Sequence, residues 1–243
     1  SWCAGGGYGV VGEDGAGDVL RGAMAELAAN FAAPTELTAI LESVTAHAVG
    51  LIGQVDIADV LLIDGHQYQS MAPTAALAVE LDTLQIDLRE GPCLTAAVED
   101  ETVVYSDLTS EPRWPRFAAA AVQAGIHSMM SFHLYTHPTK TLGGAGGRGA
   151  LNLFSHNRYE FSIEERVIGA MLATHAASAL IAADRQTQFE SALASRDHIG
   201  QAKGILMERF KIDAVHAFTL ITKFSQDNNM PVRIVAQRIV DTV

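Results

Sequence analysis

The chain has 243 residues, nearly half of them apolar, which is enough to bury a core and excludes a globally disordered protein. Its formal charge of −12 argues against a nucleic-acid partner for the chain as a whole, yet the acidity is uneven. Residues 1–195 carry nine Lys and Arg against twenty-three Asp and Glu, whereas residues 196–243 carry seven against five.

The start, Ser1-Trp2-Cys3, runs into a Gly-rich stretch, so residues 1–17 are expected to be disordered or a tag scar. Helical spacing of apolar residues predicts helices over Asp18–Asn30 and Pro34–Ile52. The period then changes. Ala58, Val60, Leu61, Leu62 and Ile63 run into Asp64-Gly65, a turn signal, with Tyr68 beyond, which predicts a β-hairpin. Further strands are expected at Thr102–Tyr105, Ser128–Leu134 and Ala150–Phe154, separated by helices near Pro92–Glu99 and Arg116–Ala124. The glycines from Gly143 to Gly149 read as a hairpin loop and not a phosphate loop, because a strand follows and no Gly-Lys-Ser/Thr is present.

From Ser162 the chain lacks proline as far as Phe210, and Ser162 with Glu165 forms a capping box, so one very long helix should begin there. Such a rod is expected to pack on the sheet at its start and on a partner chain or the last helices at its end, which makes a homodimer plausible. Asp213 should cap a helix with the buried stripe Ala214, Ala217, Phe218 and Ile221. Pro231 should open another ahead of Val232, Val235, Ala236 and Ile239. Gly204 is expected to let these helices approach closely, facing the region of Ala217.

The segment Arg196-Asp197-His198-Ile199-Gly200-Gln201-Ala202-Lys203-Gly204-Ile205-Leu206-Met207-Glu208-Arg209, with Ala217-Phe218, Ser225, Asn229 and Val235-Ala236, resembles an ANTAR domain. The resemblance implies binding to paired RNA hairpins that overlap a transcription terminator. The preceding residues resemble a GAF domain: the helix pair, Leu62-Ile63-Asp64-Gly65, Glu90-Gly91-Pro92-Cys93, Val104-Tyr105-Ser106-Asp107-Leu108, Trp114-Pro115-Arg116-Phe117 and Gly149-Ala150-Leu151-Asn152-Leu153. This implies an α+β fold, an antiparallel sheet with flanking helices, and a small-molecule ligand of the sensor. Asn157-Arg158, Phe161 and Glu164-Glu165 depart in residues and spacing from the signature of cyclic-nucleotide-binding members. The expected organisation is a GAF-like sensor over 18–185 and an ANTAR-like module with its connecting helix over 186–243.

The candidate RNA contacts are Lys203, Arg209, Lys211, Lys223, Ser225, Asn229 and Arg233. The cations either meet phosphates or coat solvated helix faces, and Ser225 and Asn229 either read loop bases or cap a turn. Cys93, at a helix start after Gly91-Pro92, is a candidate redox sensor if the helix dipole lowers its thiol, or else a buried small hydrophobe. His127, His133 and His137 cluster around one strand but lack partners at metal-ligand spacing, so no metal is expected, and no cofactor is implied. Cys3 and Cys93 form neither a metal pattern nor a disulfide framework. No nucleophile motif can be assembled, so an enzyme is not expected. No basic leader and no run of eighteen uncharged apolar residues occurs, so the expected location is the cytoplasm, without a membrane span. The alternative to an antiterminator is a protein-interaction regulator whose acidic sensor docks a partner and whose tail only dimerises.

Overall fold

The computed structural model describes residues 21–22, 25, 36–64, 67–99, 102–134 and 148–242. The expected helix over Asp18–Asn30, the loop glycines Gly143–Gly147 and His137 lie outside them, apart from helical Arg21, Gly22 and Ala25. The chain divides into two compact units, at Ala183 and Asp184.

The first unit is an α+β domain. Its elements are α1 (Leu37–Leu51), β1 (Ile57–Asp64), β2 (Gln67–Met71), α2 (Ala76–Leu88), α3 (Pro92–Glu99), β3 (Val103–Tyr105), α4 (Pro115–Gln123), β4 (Ser128–Leu134) and β5 (Arg148–Ser155). The helix α5, Ile163–Phe210, starts in this unit. The five strands form one sheet in the order β2-β1-β5-β4-β3, every pair antiparallel. The hairpin expected from Asp64-Gly65 is there, with Asp64 opposite Gln67.

The central strands are buried on both faces, so alternate residues feed two cores. Val60, Leu62, Met130, Phe132, Leu151 and Leu153 point to α1 and the first part of α5, where they meet Leu41, Val44, Ala48, Leu172 and Ala176. A Cβ on Gly169 would stand 2.4 Å from the Phe132 ring, so glycine is what allows α5 to lie this close to the sheet. Ile57, Leu61, Met129, Ala150 and Phe154 point the other way, to Ala78, Leu81, Ala96, Phe117 and Ala121 of α2, α3 and α4. Full burial of one such side chain contributes about 1.5–3 kcal/mol, so the two cores dominate this unit's stability.

One element has no counterpart in the expectations: α2, which covers the second face through Ala78, Leu81, Asp82 and Gln85. The capping box is reciprocal, with Ser162 N–H donating to Glu165 Oε2 at 2.8 Å and Glu165 N–H to Ser162 Oγ at 3.2 Å. By length and apolar composition α5 could cross a membrane, with an 18-residue window of mean hydropathy 1.5, but its Leu172, Ala173, Ala176 and Leu180 are buried against the sheet.

The second unit consists of the last part of α5, α6 (Ala214–Asp227) and α7 (Val232–Val240). Its core is small: Ala202, Ile221, Val235 and Ala236, with Ile199, Leu206, Met230 and Ile239 half-buried around them. Asp213 caps α6 by accepting from the N–H groups of Val215 and His216, which also holds its carboxyl below the usual range. Two expectations need correcting. Phe218 is 43% exposed, not part of the buried stripe. A Cβ on Gly204 would meet nothing within 4 Å, so the small residue in the helix contact is Ala202, which is fully buried.

Candidate nucleic-acid interface and sensor core

In the second unit the cations stand on three helices. Lys203 is half-buried on α5, its Nζ 6.0 Å from the centre of the Phe218 ring, an electrostatic contact with the ring face. Arg209 is exposed in the last turn of the same helix. At 100° per residue, Lys203 and Arg209 point about 120° apart, so they do not form one stripe. Arg196, exposed and one heptad before Lys203, shares its stripe instead, a residue the list of candidates missed. Lys211 follows in a left-handed conformation (φ 54°) and pairs with Glu208 at 2.5 Å. Lys223 on α6 and Arg233 on α7 are exposed.

The polar candidates differ in kind. Ser225 donates its hydroxyl to the carbonyl of Met230, and Met230 N–H returns a bond to the Ser225 carbonyl, so this side chain clamps the α6–α7 turn. Asn229, in the same turn, has φ 48° and is exposed; its side chain tolerates the left-handed conformation that the tight link requires. An apolar groove of about 410 Å³ opens between the helices, lined by Leu206, Leu220, Phe224, Val235 and Ile239.

In the first unit the recognisable motifs hold the scaffold together. Glu90 accepts from Arg116 Nε at 2.7 Å and from the N–H groups of Arg116 and Phe117, so one motif caps the helix that the other begins. Arg116 and these N–H groups hold the Glu90 carboxyl below its ordinary range. A Cβ on Gly91 (φ 137°) would stand 2.2 Å from Gln85 Oε1, so only glycine fits beneath that side chain. Asp107 accepts from Thr109 and pairs with Arg158 at 3.4 Å. Cys93 is fully buried. Burial first, then the charges of Asp82 and Asp59, push its thiol well above its usual value, the reverse of the lowering that a helix start suggests. Burial and the raised thiol favour the alternative reading of Cys93 as a small buried hydrophobe.

His127 precedes β4 and His133 lies within it; six residues of strand separate them by about 20 Å, too far to share a ligand. Among the described residues no group of three or more His, Cys, Asp or Glu could hold a metal. His175 is buried on α5, its imidazole lowered by burial and by His47.

A row of polar residues was not anticipated. Asp59 on β1 stands opposite Asn152 on β5, which stands opposite Ser131 on β4. The three cross the middle of the sheet on the face covered by α2, and each is fully buried. Ser131 Oγ donates to Asn152 Oδ1 at 2.8 Å, Asn152 Nδ2 to Asp82 Oδ1 at 3.3 Å, and Ser70 Oγ to Asp82 Oδ2 at 2.5 Å. Burial, then the Asp82 charge, pushes the Asp59 carboxyl well above its ordinary range. Burial also raises Asp82, with the neighbouring Asp59 and the bond from Ser70 opposing the rise. The signal in the sequence was an aspartate inside an apolar strand run, Ala58-Asp59-Val60-Leu61.

A five-stranded antiparallel sheet covered on both faces, followed by a small helical unit with exposed cations, defines a two-part chain. The chain belongs to the GAF domain family, whose model matches residues 34–181, and an ANTAR domain follows at residues 187–240. This pairing is that of a signal-responsive, RNA-binding regulator of transcription antitermination. No curated protein matches the chain. Among solved structures, it is similar to the GAF domain of a phosphoenolpyruvate-protein phosphotransferase from Coxiella burnetii, with a TM-score of 0.55 and 18% identity, over 71% of this chain and 96% of that one. The corresponding GAF domain from Acinetobacter gives 0.51 at 15% identity, over 68% and 92%. At these identities the likeness concerns the fold alone.

Proposed function

We propose that this protein is a cytoplasmic antiterminator whose C-terminal module holds RNA stem-loops overlapping a terminator, under control of the sensor domain. The observation that carries the reading is the ANTAR match over 187–240 on a unit whose Arg196, Arg209, Lys223 and Arg233 are exposed. Lys203, Arg209, Lys211, Lys223 and Arg233 contact phosphates, and Asn229 at the exposed turn faces loop bases. Ser225 supports that turn. The exposed Phe189 and Leu193 on α5, at 66% and 51%, support a homodimer through this helix. Two modules on one target raise the effective concentration of the second contact without any new interaction.

The test is a gel-shift comparison of structured RNA with duplex DNA of equal length, over a salt series. Preferential RNA binding with a steep salt slope is expected, because phosphate contacts release counterions. Equal affinity for both would end the antiterminator reading. The apolar groove beside Phe224 favours a second reading, in which the module grips a protein; binding with no salt slope and no RNA preference would support it.

A further inference from the structure

The buried row in the sensor core is costly to keep. Polar and ionisable groups in an apolar interior lose hydration, and they are retained without loss only where every donor and acceptor is matched. Here the match is incomplete. Asp82 and Asn152 lie close enough to act on the Asp59 carboxyl, but neither Asp59 oxygen has a partner in hydrogen-bond geometry, and Gln85 Nε2, on a fully buried side chain, has no acceptor. Gln85 lies one helical turn beyond Asp82 on the same face of α2, and its Oε1 accepts from Cys93 N–H at 2.9 Å.

The two carboxyls at this spot, Asp59 and Asp82, have one sign, and the other groups bonded in the row are neutral. From β1 comes Asp59, from α2 Asp82 and Gln85, from β2 Ser70, from β5 Asn152, and from β4 Ser131 with His133 one pleat further on. α3 contributes Cys93, while α4 and β3 present apolar residues such as Phe117 and Val103. No Lys or Arg is bonded to either aspartate among the described residues. Two like charges at this depth cannot both ionise, so without a cation the pair keeps at least one proton.

We propose that Asp59 and Asp82 are the recognition end of the sensor's ligand site, and that the ligand presents a protonated amine or amidine which takes the place of that proton. The inference rests on reading residues 34–181 as the sensor. A cationic head satisfies both Asp59 oxygens, and an acceptor atom near it satisfies Gln85 Nε2. Asn152 and Ser131 hold Asp82 in place and do not touch the ligand's charge. Because the row lies under α2, a ligand reaches it only as α2 and α3 move from the sheet, which ties occupancy to the position of these helices.

The exchange leaves a signature. Binding releases one proton to solvent, so affinity for a fixed cation rises by about tenfold per pH unit while the pair is protonated. The experiment follows thermal unfolding of the full chain with ethylamine and with benzamidine, against sodium chloride at equal ionic strength, at pH 6 and pH 8. The expected result is a rise in melting temperature with at least one probe, larger at pH 8. Calorimetry in buffers of different ionisation enthalpy should show about one proton released.

Asp59→Asn should abolish the probe effect and, without ligand, melt at or above the wild-type temperature, because a binding site is kept at the expense of stability. If that variant does not fold, the pH dependence in the wild type decides alone. No shift beyond that of sodium chloride, a shift independent of pH, or one that survives Asp59→Asn overturns the proposal. RNA gel shifts on the same preparation separate the two readings. A chain that binds RNA but no amine overturns the site alone, and one that binds an amine but no RNA supports the site while overturning the antiterminator.

Discussion

The two units handle polar residues in opposite ways. The sensor buries Asp59, Asp82, Gln85, Ser131 and Asn152 beneath helices, on one face of a sheet with a large apolar core on each side, whereas the C-terminal module leaves nearly all its charge in solvent around five buried apolar residues, Ala202, Ala217, Ile221, Val235 and Ala236. The first arrangement is expensive and needs a strong scaffold; the second is inexpensive and needs only a shape. A group in the interior responds to small changes in its surroundings because little water screens it, while an exposed cation near a phosphate acts through number and spacing. Response and contact therefore fall to different units.

The largest expected effect breaks the scaffold. Phe154→Ala empties a fully buried site on the face of the sheet that carries the polar row, and should cost about 3–5 kcal/mol. Ile221→Ala in the small core should cost about 2–4 kcal/mol. Circular dichroism should then show the first variant losing the sheet, and gel shifts should show the second losing RNA binding while its sensor still melts near the normal temperature. Loss of both units by either change would show that they do not fold separately.

A second effect separates the units by pH. Asp59 and Asp82 are raised in the folded state, so the stability they contribute is fully present below the unfolded carboxylate value near pH 4 and is lost as pH rises through their folded values. Asp213, lowered by its cap bonds, contributes above that value and loses its contribution as pH falls through its folded value. Urea midpoints should thus fall with rising pH for the sensor unit and rise for the module. Asp59→Asn should flatten the sensor's slope, and Asp213→Asn the module's.

The same contrast explains what could be read in advance. Strands at Ser128–Leu134 and around Ala150–Phe154 follow from short apolar runs that each hold an aromatic residue, and α5 follows from its capping box. The helix α2 escaped because two of its four fully buried residues, Asp82 and Gln85, are polar, which breaks the apolar stripe by which a helix is recognised. For the same reason half of the polar row was invisible, since its partners meet only in the folded sheet. Residues of the module's surface were legible by type, because lysine and arginine remain in water whatever the fold. Their grouping was not, since the pairing of Lys203 with Phe218 and the clamp from Ser225 to Met230 depend on how α5, α6 and α7 pack.

Smaller effects test the surface directly. Lys203→Ala and Arg209→Ala should each weaken RNA binding by about 1 kcal/mol and lower the salt slope by about one, with unchanged circular dichroism. Because the two side chains diverge around α5, their effects should add if both meet phosphate, as for independent sites. A silent Arg209→Ala beside a damaging Lys203→Ala would assign the contact to the stripe that includes Arg196.

The smallest effect on affinity is expected from the change that bears most on regulation. α5 is one continuous helix from Ile163 to Phe210, and its residues 185–194 are exposed. If a signal in the sensor changes how two chains pair along α5, RNA affinity shifts only by the difference between the two pairing states. Insertion of Gly-Ser-Gly-Ser after Arg185 breaks the stretch without touching either core, since glycine and serine are poor helix formers. The module in the insertion mutant should bind a single hairpin as the wild type does, measured by gel shift. What should disappear is the dependence of binding on the sensor, read as the difference between wild-type sensor and Asp59→Asn in the same background. A difference that persists across the insertion would exclude transmission through the helix and require direct contact between sensor and module.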